Sequence, residues 1–339
     1  MVTVAKNMVD TLAASGVERV YGIPGDSLNG FTDALRESGI EWVHVRHEEA
    51  AAFAASAEAA LTGELAVCVG SCGPGNLHLI NGLSDAQRSR VPVLAIAAHI
   101  PTSEIGSGYF QETHPQELFR ECSVYVEYAA DPIQMPRILR TAMQAALAQR
   151  GVAVVVIPGD VALAEAVDDT VAAVKASSPK VVPSDDELKH AADLLNDAKK
   201  ITILAGAGAE GAHDQVIALA DQLGAPIVHT LRSKQFIEYD NPFDVGMTGL
   251  LGFASGYRAM ENCDTLLMLG TDFPYRPFLP DQAQVIQVDL RGEHLGRRIP
   301  LELGLVGDVG NTVDALLPLL KHHRNRSHLK ESLTHYTKT

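Results

Sequence analysis

Arg46-His-Glu-Glu-Ala-Ala-Ala-Phe-Ala-Ala55 is an alanine-rich stretch that follows the short apolar run 42–45. No Gly or Pro occurs in it before Gly63, so the composition predicts a strand over 41–45 and a helix over 47–61. Glu48 and Glu49 then lie in the first helical turn, where the macrodipole favours negative charge. They could simply be first-turn acids. However, the small alanines allow a large group to approach, and Phe53 offers an apolar wall, which suits a carboxylate for proton transfer.

Apolar strand patterns alternate with helical patterns on both sides of this stretch. The first half of the chain has further predicted strands at 20–22, 65–69, 91–97 and 152–157, and further predicted helices at 4–14, 28–37, 74–86 and 132–149. The runs at 65–69 and 91–97 are apolar throughout, as is typical of strands covered on both faces. This alternation predicts a parallel sheet with helices on both sides.

The alternation restarts after a Pro- and Ser-containing segment at 175–183, which has the composition of a linker. The sequence therefore predicts an α/β protein with two consecutive doubly wound parallel-sheet domains. We expect the first domain at 1–175, a linker at 176–190 and the second domain at 191–320. The basic tail at 321–339 has little to bury and is expected to be a connector.

Composition limits the classes of function. The 339 residues suffice for two domains, and 46% of them are hydrophobic. The formal net charge of -15 argues against nucleic acid as a partner, because nothing would offset phosphate repulsion. The four cysteines form no CxxC pair, and no apolar run approaches the ~20 residues of a spanning helix. We expect a cytoplasmic location.

A glycine motif and an acidic strand end suggest a nucleotide site in the second half. Gly206-Ala-Gly-Ala-Glu-Gly211 follows an apolar run and precedes a predicted helix, which fits either a dinucleotide fingerprint or a tight strand-to-helix turn. Asp289 ends a predicted strand, where it could meet a ribose hydroxyl or cap the next turn. The loops 246–249 and 269–273 are also candidate parts of this nucleotide site, because ligands bind at the carboxyl ends of parallel strands.

Metal and hydrolase motifs are lacking. The spacing of the four histidines His47, His78, His99 and His114 matches no metal-ligand motif, and no HExxH occurs. Ser71 lies in a glycine-rich loop without the GxSxG pattern. We therefore predict no metal ligands in this chain.

Several longer runs resemble the thiamine-diphosphate-dependent pyruvate oxidase and acetolactate synthase family, and within it most of all the quinone-linked pyruvate dehydrogenases. The likeness covers nearly the whole chain. It rests on 25–30, 46–49, 70–82, 91–100, 106–119, 239–242, 246–249 and 269–276. The resemblance implies a pyrimidine-binding domain followed by a central, Rossmann-like FAD domain.

The resemblance also implies roles for individual residues. Glu48 matches the glutamate that hydrogen-bonds N1′ of the cofactor's aminopyrimidine. Phe110 and Gln111 match residues lining the catalytic site, while Gly25 and His78 fall on its cofactor-binding side. The flavin contacts of the central domain match Thr248, Gly249, Leu250, Leu251, Thr271, Asp272, Phe273, Pro274, Tyr275 and Asp289.

The implied activity is oxidative decarboxylation of pyruvate to acetate and CO2, with electrons passing through FAD to a quinone, in a homo-oligomer. One departure stands out: the family binds Mg²⁺ and the cofactor diphosphate through Gly-Asp-Gly, whereas every Gly-Asp here is followed by Ser or Val. We therefore expect a fragment that is inactive alone, with its Mg²⁺ ligands and any peripheral membrane contact in absent segments. An oxygen-dependent pyruvate oxidase, an acetolactate synthase and a non-catalytic flavin-binding or assembly module are the alternatives.

Overall fold

The computed structural model describes residues 1–339 and divides them into two compact units, Met1–Ser178 and Pro179–Thr339. The division falls within the predicted linker. A helix at Asp185–Asp197, capped by Ser184 in a capping box with Glu187, already begins within that range. No helix in the chain combines the length and apolar character needed to cross a bilayer.

The first unit contains six strands and seven helices. The strands are β1 Arg19–Gly22, β2 Glu41–His44, β3 Ala66–Gly70, β4 Val93–His99, β5 Tyr125–Tyr128 and β6 Val152–Pro158. The helices are α1 Val4–Ala14, α2 Asn29–Arg36, α3 Glu48–Thr62, α4 Pro74–Ser89, α5 Pro115–Leu118, α6 Met135–Gln149 and α7 Gly159–Leu163.

All strands of this unit run parallel, in the order β2-β1-β3-β4-β6-β5. Successive residues of the central strands face opposite sides: Leu94 and Ile96 join one apolar core, and Ala95 joins the other. Helices α1, α2 and α6 cover the first core, while α3 and α4 cover the second. The sequence patterns missed β5, a partly exposed strand at the sheet edge.

The second unit has its own sheet and helices. Its strands are β7 Ile201–Ala205, β8 Ile227–His229, β9 Asp244–Met247, β10 Thr265–Leu269, β11 Gln284–Asp289 and β12 Leu303–Val306. Its helices are α8 Asp185–Asp197, α9 His213–Leu223, α10 Lys234–Ile237, α11 Ala254–Glu261, α12 Val309–Leu316 and α13 Ser327–Tyr336.

This second sheet is also parallel, in the order β12-β11-β10-β7-β8-β9. It is the Rossmann order, with the reversal between β7 and β10. Apolar cores again lie on both faces of the sheet. The prediction of two doubly wound parallel-sheet domains is therefore confirmed.

The expectation that the C-terminal tail has little to bury is wrong. Helix α13 packs against α11 and β9, and it buries Leu329 in the core of the second unit. The imidazole of His328 is buried beside it, with Nε2 2.9 Å from Thr202 Oγ1. Leu329, Leu333 and Tyr336 recur at helical spacing, so the tail does carry an apolar stripe.

Candidate functional site

A cluster of loops lies at the carboxyl edge of the first sheet, where the strand order reverses between β1 and β3. Ligands of open parallel sheets bind at such a reversal. The two loops are tied together: Ser27 Oγ lies 3.1 Å from Ser71 Oγ and accepts the amide N–H of Cys72 at 3.0 Å. Gly25 is pressed against Ser71, because a Cβ there would lie 2.5 Å from Ser71 Oγ.

Glu48 is the first residue of α3 and points into this edge. The backbone leaves β2, and His47 adopts an extended conformation as the N-cap, with Nδ1 accepting the amide N–H of Glu49 at 3.2 Å. Glu48 is only 7% exposed, although it is a carboxylate. A buried carboxylate requires groups that stabilise its charge, and the helix N-terminus alone stabilises it only modestly.

Its strongest partner in the chain is His78 on α4. Glu48 Oε2 lies 3.0 Å from His78 Nδ1. Glu48 Oε1 makes no hydrogen bond within the chain and borders Gly75, whose Cβ would lie 3.1 Å from it. One oxygen of the carboxylate is thus held and the other is available to a ligand.

Close packing of α3 on α4 brings these two side chains together. A Cβ on Gly82 of α4 would lie 2.5 Å from the Cβ of Ala52 and 2.8 Å from the backbone nitrogen of Phe53. The alanines after Glu48 therefore make room for a neighbouring helix, whereas we expected them to make room for a ligand. Phe53 is exposed and does not form a wall around Glu48.

The loop after β4 brings Gln111 to the same edge. Gln111 Nε2 donates to the carbonyl of Cys72 at 3.3 Å. A Cβ added to Gly73 would lie 3.1 Å from the Cβ of Gln111. Phe110 is 83% exposed, and its ring lies 4.8 Å from that of Tyr109. The site thus combines a buried carboxylate, an imidazole, an amide and an exposed aromatic ring.

Glu112 fixes the conformation of this loop. Its carboxylate accepts the amide N–H groups of Gly106, at 2.5 Å, and Gly108, at 2.9 Å. The Gly106 amide, above all, lowers the pKa of Glu112, because it stabilises the ionised form. The loop that carries Phe110 is therefore held by an ionised side chain that the sequence patterns did not single out.

The sequence spacing of the histidines predicted no metal ligands, but the structure brings two of them together beside Glu48. His47 and His78 stack with ring centroids 4.2 Å apart, and together with Glu48 they form a group of potential ligands within 4.8 Å of one another. Spacing could not reveal this group, because the two histidines lie on different elements.

In the second unit, the glycine motif serves loop packing. The Gly208 N–H donates to the Gly270 carbonyl at 2.9 Å, and a Cβ on Gly208 would lie 2.8 Å from the Gly270 Cα. Helix α9 begins only at His213, beyond the motif. The tight-turn interpretation of 206–211 is therefore the one that the geometry supports.

The loop after β9 carries four of the predicted flavin contacts. Thr248 is buried, and its Oγ1 has no hydrogen-bond partner. Leu250 and Leu251 are 70% and 71% exposed. Gly249, at φ 103°, lies against Phe273, where a Cβ would come within 3.2 Å.

The loop after β10 carries the next predicted contacts. The rings of Phe273 and Tyr275 meet edge to face at 5.5 Å, and Pro274 between them is exposed. The loops after β9 and β10 therefore contact each other through Gly249 and Phe273. The Thr248 hydroxyl is thus a buried polar group that the chain itself leaves without a hydrogen bond.

The remaining predicted contacts already have partners. Asp272 binds Arg297 Nη1 at 3.1 Å and Arg298 Nε at 2.9 Å. The carbonyl of Thr271 accepts Gln287 Nε2 at 3.1 Å. Asp289 Oδ1 accepts the amide N–H of Arg291 at 2.9 Å, so this side chain caps the next turn, as one of the two interpretations of the sequence predicted.

Sequence reasoning missed His47, Glu112 and the two arginines as parts of these sites. His47 directly precedes Glu48, so its N-cap position could have identified it. Arg297 and Arg298 are 25 and 26 residues from Asp272, and no local rule links them.

Two family models match the chain. The thiamine pyrophosphate enzyme N-terminal TPP binding domain matches residues 2–118, and the thiamine pyrophosphate enzyme central domain matches residues 188–316. Thiamine pyrophosphate is another name for thiamine diphosphate. The matches correspond to the two units described above.

Curated relatives match nearly the whole chain. A 42.6 kDa protein in the isoamylase 3′ region of Pseudomonas amyloderamosa is 61% identical over 99% of this chain and 85% of its own length. Pyruvate oxidase of Lactiplantibacillus plantarum is 30% identical over 91% of this chain. The large subunit of acetolactate synthase isozyme 2 of Escherichia coli is 32% identical over 95%. The chain spans 53% and 59% of the length of these last two relatives. With both of its units matched, the chain belongs to the thiamine pyrophosphate-dependent enzyme family, in the group that resembles acetolactate synthase and pyruvate oxidase.

Proposed function

We propose that this chain forms the pyrimidine-binding and flavin-binding parts of a pyruvate:quinone oxidoreductase that decarboxylates pyruvate to acetate and CO2. One observation carries the proposal: Glu48 is buried at the sheet edge, with one oxygen held by His78 and the other without a partner. Pyruvate, a quinone and a second copy of the chain are its proposed partners. Mg²⁺ is proposed to accompany the cofactor diphosphate, with no ligand among these residues.

The residues at the first site fit thiamine diphosphate. An aminopyrimidine offers a ring nitrogen that a carboxyl group can hydrogen-bond, and Glu48 Oε1 is available for that bond. When bound, this cofactor supplies a nucleophilic carbon and an electron sink for decarboxylation of a 2-keto acid. His78 orients the carboxyl group through Oε2, so that Glu48 can hold or release a proton at Oε1.

Gln111 and Phe110 complete this proposed site. The bond from Gln111 to the Cys72 carbonyl fixes the amide beside the loop after β3, where it can orient a carboxylate substrate. Phe110 presents an apolar face that can exclude water from the reacting atoms. Both roles belong to the proposal.

The second site fits FAD because Thr248 Oγ1 is buried without a partner, next to Leu250, Leu251 and Tyr275. FAD supplies an acceptor for the electron pair released on decarboxylation. Thr248 would donate or accept a hydrogen bond, and the exposed leucines would cover a planar ring. Asp289 would contact the ribose of FAD through Oδ2, the carboxylate oxygen that does not cap the turn.

Glu48→Gln in the intact protein tests the first site. We expect pyruvate-dependent quinone reduction, with thiamine diphosphate, Mg²⁺ and FAD added, to fall about 10²–10⁴-fold, because general acid–base groups contribute that much. The flavin absorbance should stay unchanged. Glu49→Gln is the matched control, because Glu49 lies in the same turn and hydrogen-bonds Asn81 instead. Equal losses in both variants would refute the role of Glu48.

Product analysis tests the reaction itself. Acetate with quinone reduction is the expected result. Acetolactate as the product would identify a synthase, and O2 uptake without quinone reduction would identify an oxidase. Protein purified without any bound flavin, and unable to take it up, would overturn the flavin site.

A further inference from the structure

His47, Glu48 and His78 converge on one point at the surface of the first unit. Each offers a potential ligand atom within 4.8 Å of the others, and Glu48 Oε2 is 3.0 Å from His78 Nδ1. The side chains of His47 and His78 are about half exposed, and Glu48 is buried between their helices. We propose that these three side chains bind one Zn²⁺ ion.

The donor set selects the metal. Two imidazole nitrogens and one carboxylate oxygen suit Zn²⁺, which binds such ligands at about 2.0–2.2 Å and leaves a fourth position to water. Mg²⁺ and Ca²⁺ take oxygen ligands and are excluded by the two nitrogens. Two donors on a tetrahedral ion lie about 3.4 Å apart, so Glu48 and His78 need only small shifts. His47 must move inward, and its exposure allows that.

Charges around the site favour a cation. The N-terminus of α3 carries about half a positive charge, which opposes binding. Glu48 and Glu49 place two carboxylates in the same turn and outweigh it. Ligation of His47 through Nε2 leaves its Nδ1–H facing Glu49, whose Oε2 is 3.7 Å away. Metal-bound histidines commonly donate to a carboxylate in this way, at the cost here of the N-cap hydrogen bond.

Zinc would use the carboxyl group that we assign to the aminopyrimidine. Zinc and thiamine diphosphate should therefore exclude each other, and this consequence rests on the proposed function. The zinc site itself does not, because it depends only on the three side chains.

Calorimetric titration of the full chain with ZnCl2, without other cofactors, tests the site. His47→Asn removes the imidazole but keeps a capping side chain, and His78→Gln changes a half-exposed position. We expect each variant to bind zinc at least about tenfold more weakly than the parent chain. His190→Ala, an exposed histidine of α8, is the control and should leave the affinity unchanged.

Cobalt gives an independent readout of geometry. Co²⁺ in a tetrahedral site with nitrogen ligands absorbs visible light strongly, and both variants should lose that absorption. Parent-like zinc affinity and Co²⁺ spectra in the two variants would overturn the site. Should His47→Asn fail to fold, His78→Gln decides alone. The titration contains no other cofactor, so its outcome decides the metal site separately from the proposed role of Glu48, which the Glu48→Gln activity assay decides.

Discussion

Gly82→Ala should destabilise the first unit, against what helix propensity alone predicts. Gly82 lies within α4, where Ala is normally favoured over Gly by about 0.5–1 kcal/mol. However, the added Cβ would lie 2.5 Å from the Cβ of Ala52, 2.8 Å from the backbone nitrogen of Phe53 and 2.9 Å from the carbonyl carbon of Ala52. None of these atoms belongs to the flexible end of a side chain, so α3 and α4 must separate.

The magnitude follows from these contacts. Overpacking of a well-filled core costs about 1–3 kcal/mol. Subtracting the propensity gain of about 0.5–1 kcal/mol from the middle of that range leaves a net loss of about 1–1.5 kcal/mol, which corresponds to a fall of about 2–6 °C in Tm for a unit of this size. A separation of about 1 Å, from 2.5 Å to an ordinary carbon contact, would also lengthen the 3.0 Å contact between Glu48 and His78.

The single tryptophan makes the assay specific. Trp42 lies in β2, so its fluorescence reports unfolding of the first unit alone. Gly310→Ala in α12 of the second unit is the control, because the nearest neighbour would lie 3.5 Å from its new Cβ. The Trp42 transition of the first unit should therefore stay at the parental temperature in that variant. A Gly82→Ala protein whose Trp42 transition occurs at or above the parental temperature would refute the packing argument.

Two further predictions concern titratable groups. Burial lowers the pKa of His328, so the folded state holds it neutral while the unfolded chain takes up a proton below its ordinary value of 6.5. The free energy of unfolding of the second unit should therefore be highest above pH 6.5 and fall as the pH drops below that value. His328→Gln should make this fall smaller. The urea midpoint, measured by circular dichroism at several pH values, checks this: equal pH dependence in the parent and the variant would contradict the prediction. Burial raises the pKa of Cys68 to about 12, of Cys122 to about 11 and of Cys263 to about 12, so a thiol reagent should label these three slowly in the native protein and rapidly in denaturant. Rapid labelling of any of them in the native protein, followed by mass spectrometry, would show that its thiol is not buried.

Local patterns in the sequence determined the architecture. Continuous apolar runs such as 65–69 and 91–97 are typical of strands covered on both faces, and their alternation with helical patterns predicts parallel sheets. The helix at Val4–Ala14 has the predicted bounds, since its N-cap Thr3 and its apolar periodicity are local features of the sequence. The position of Glu48 at a helix start was predictable for the same reason.

Contacts between distant segments were decided only by the tertiary structure. Glu48 and His78 lie 30 residues apart and meet because Gly82 lets α4 pack closely on α3. The Gly270 backbone packs against Gly208, and no motif in either segment predicts this contact. The C-terminal tail packs on the second unit because the apolar stripe of α13 contacts the core of that unit. Periodicity shows which face of an element is apolar, but the partner of that face depends on packing across the whole chain.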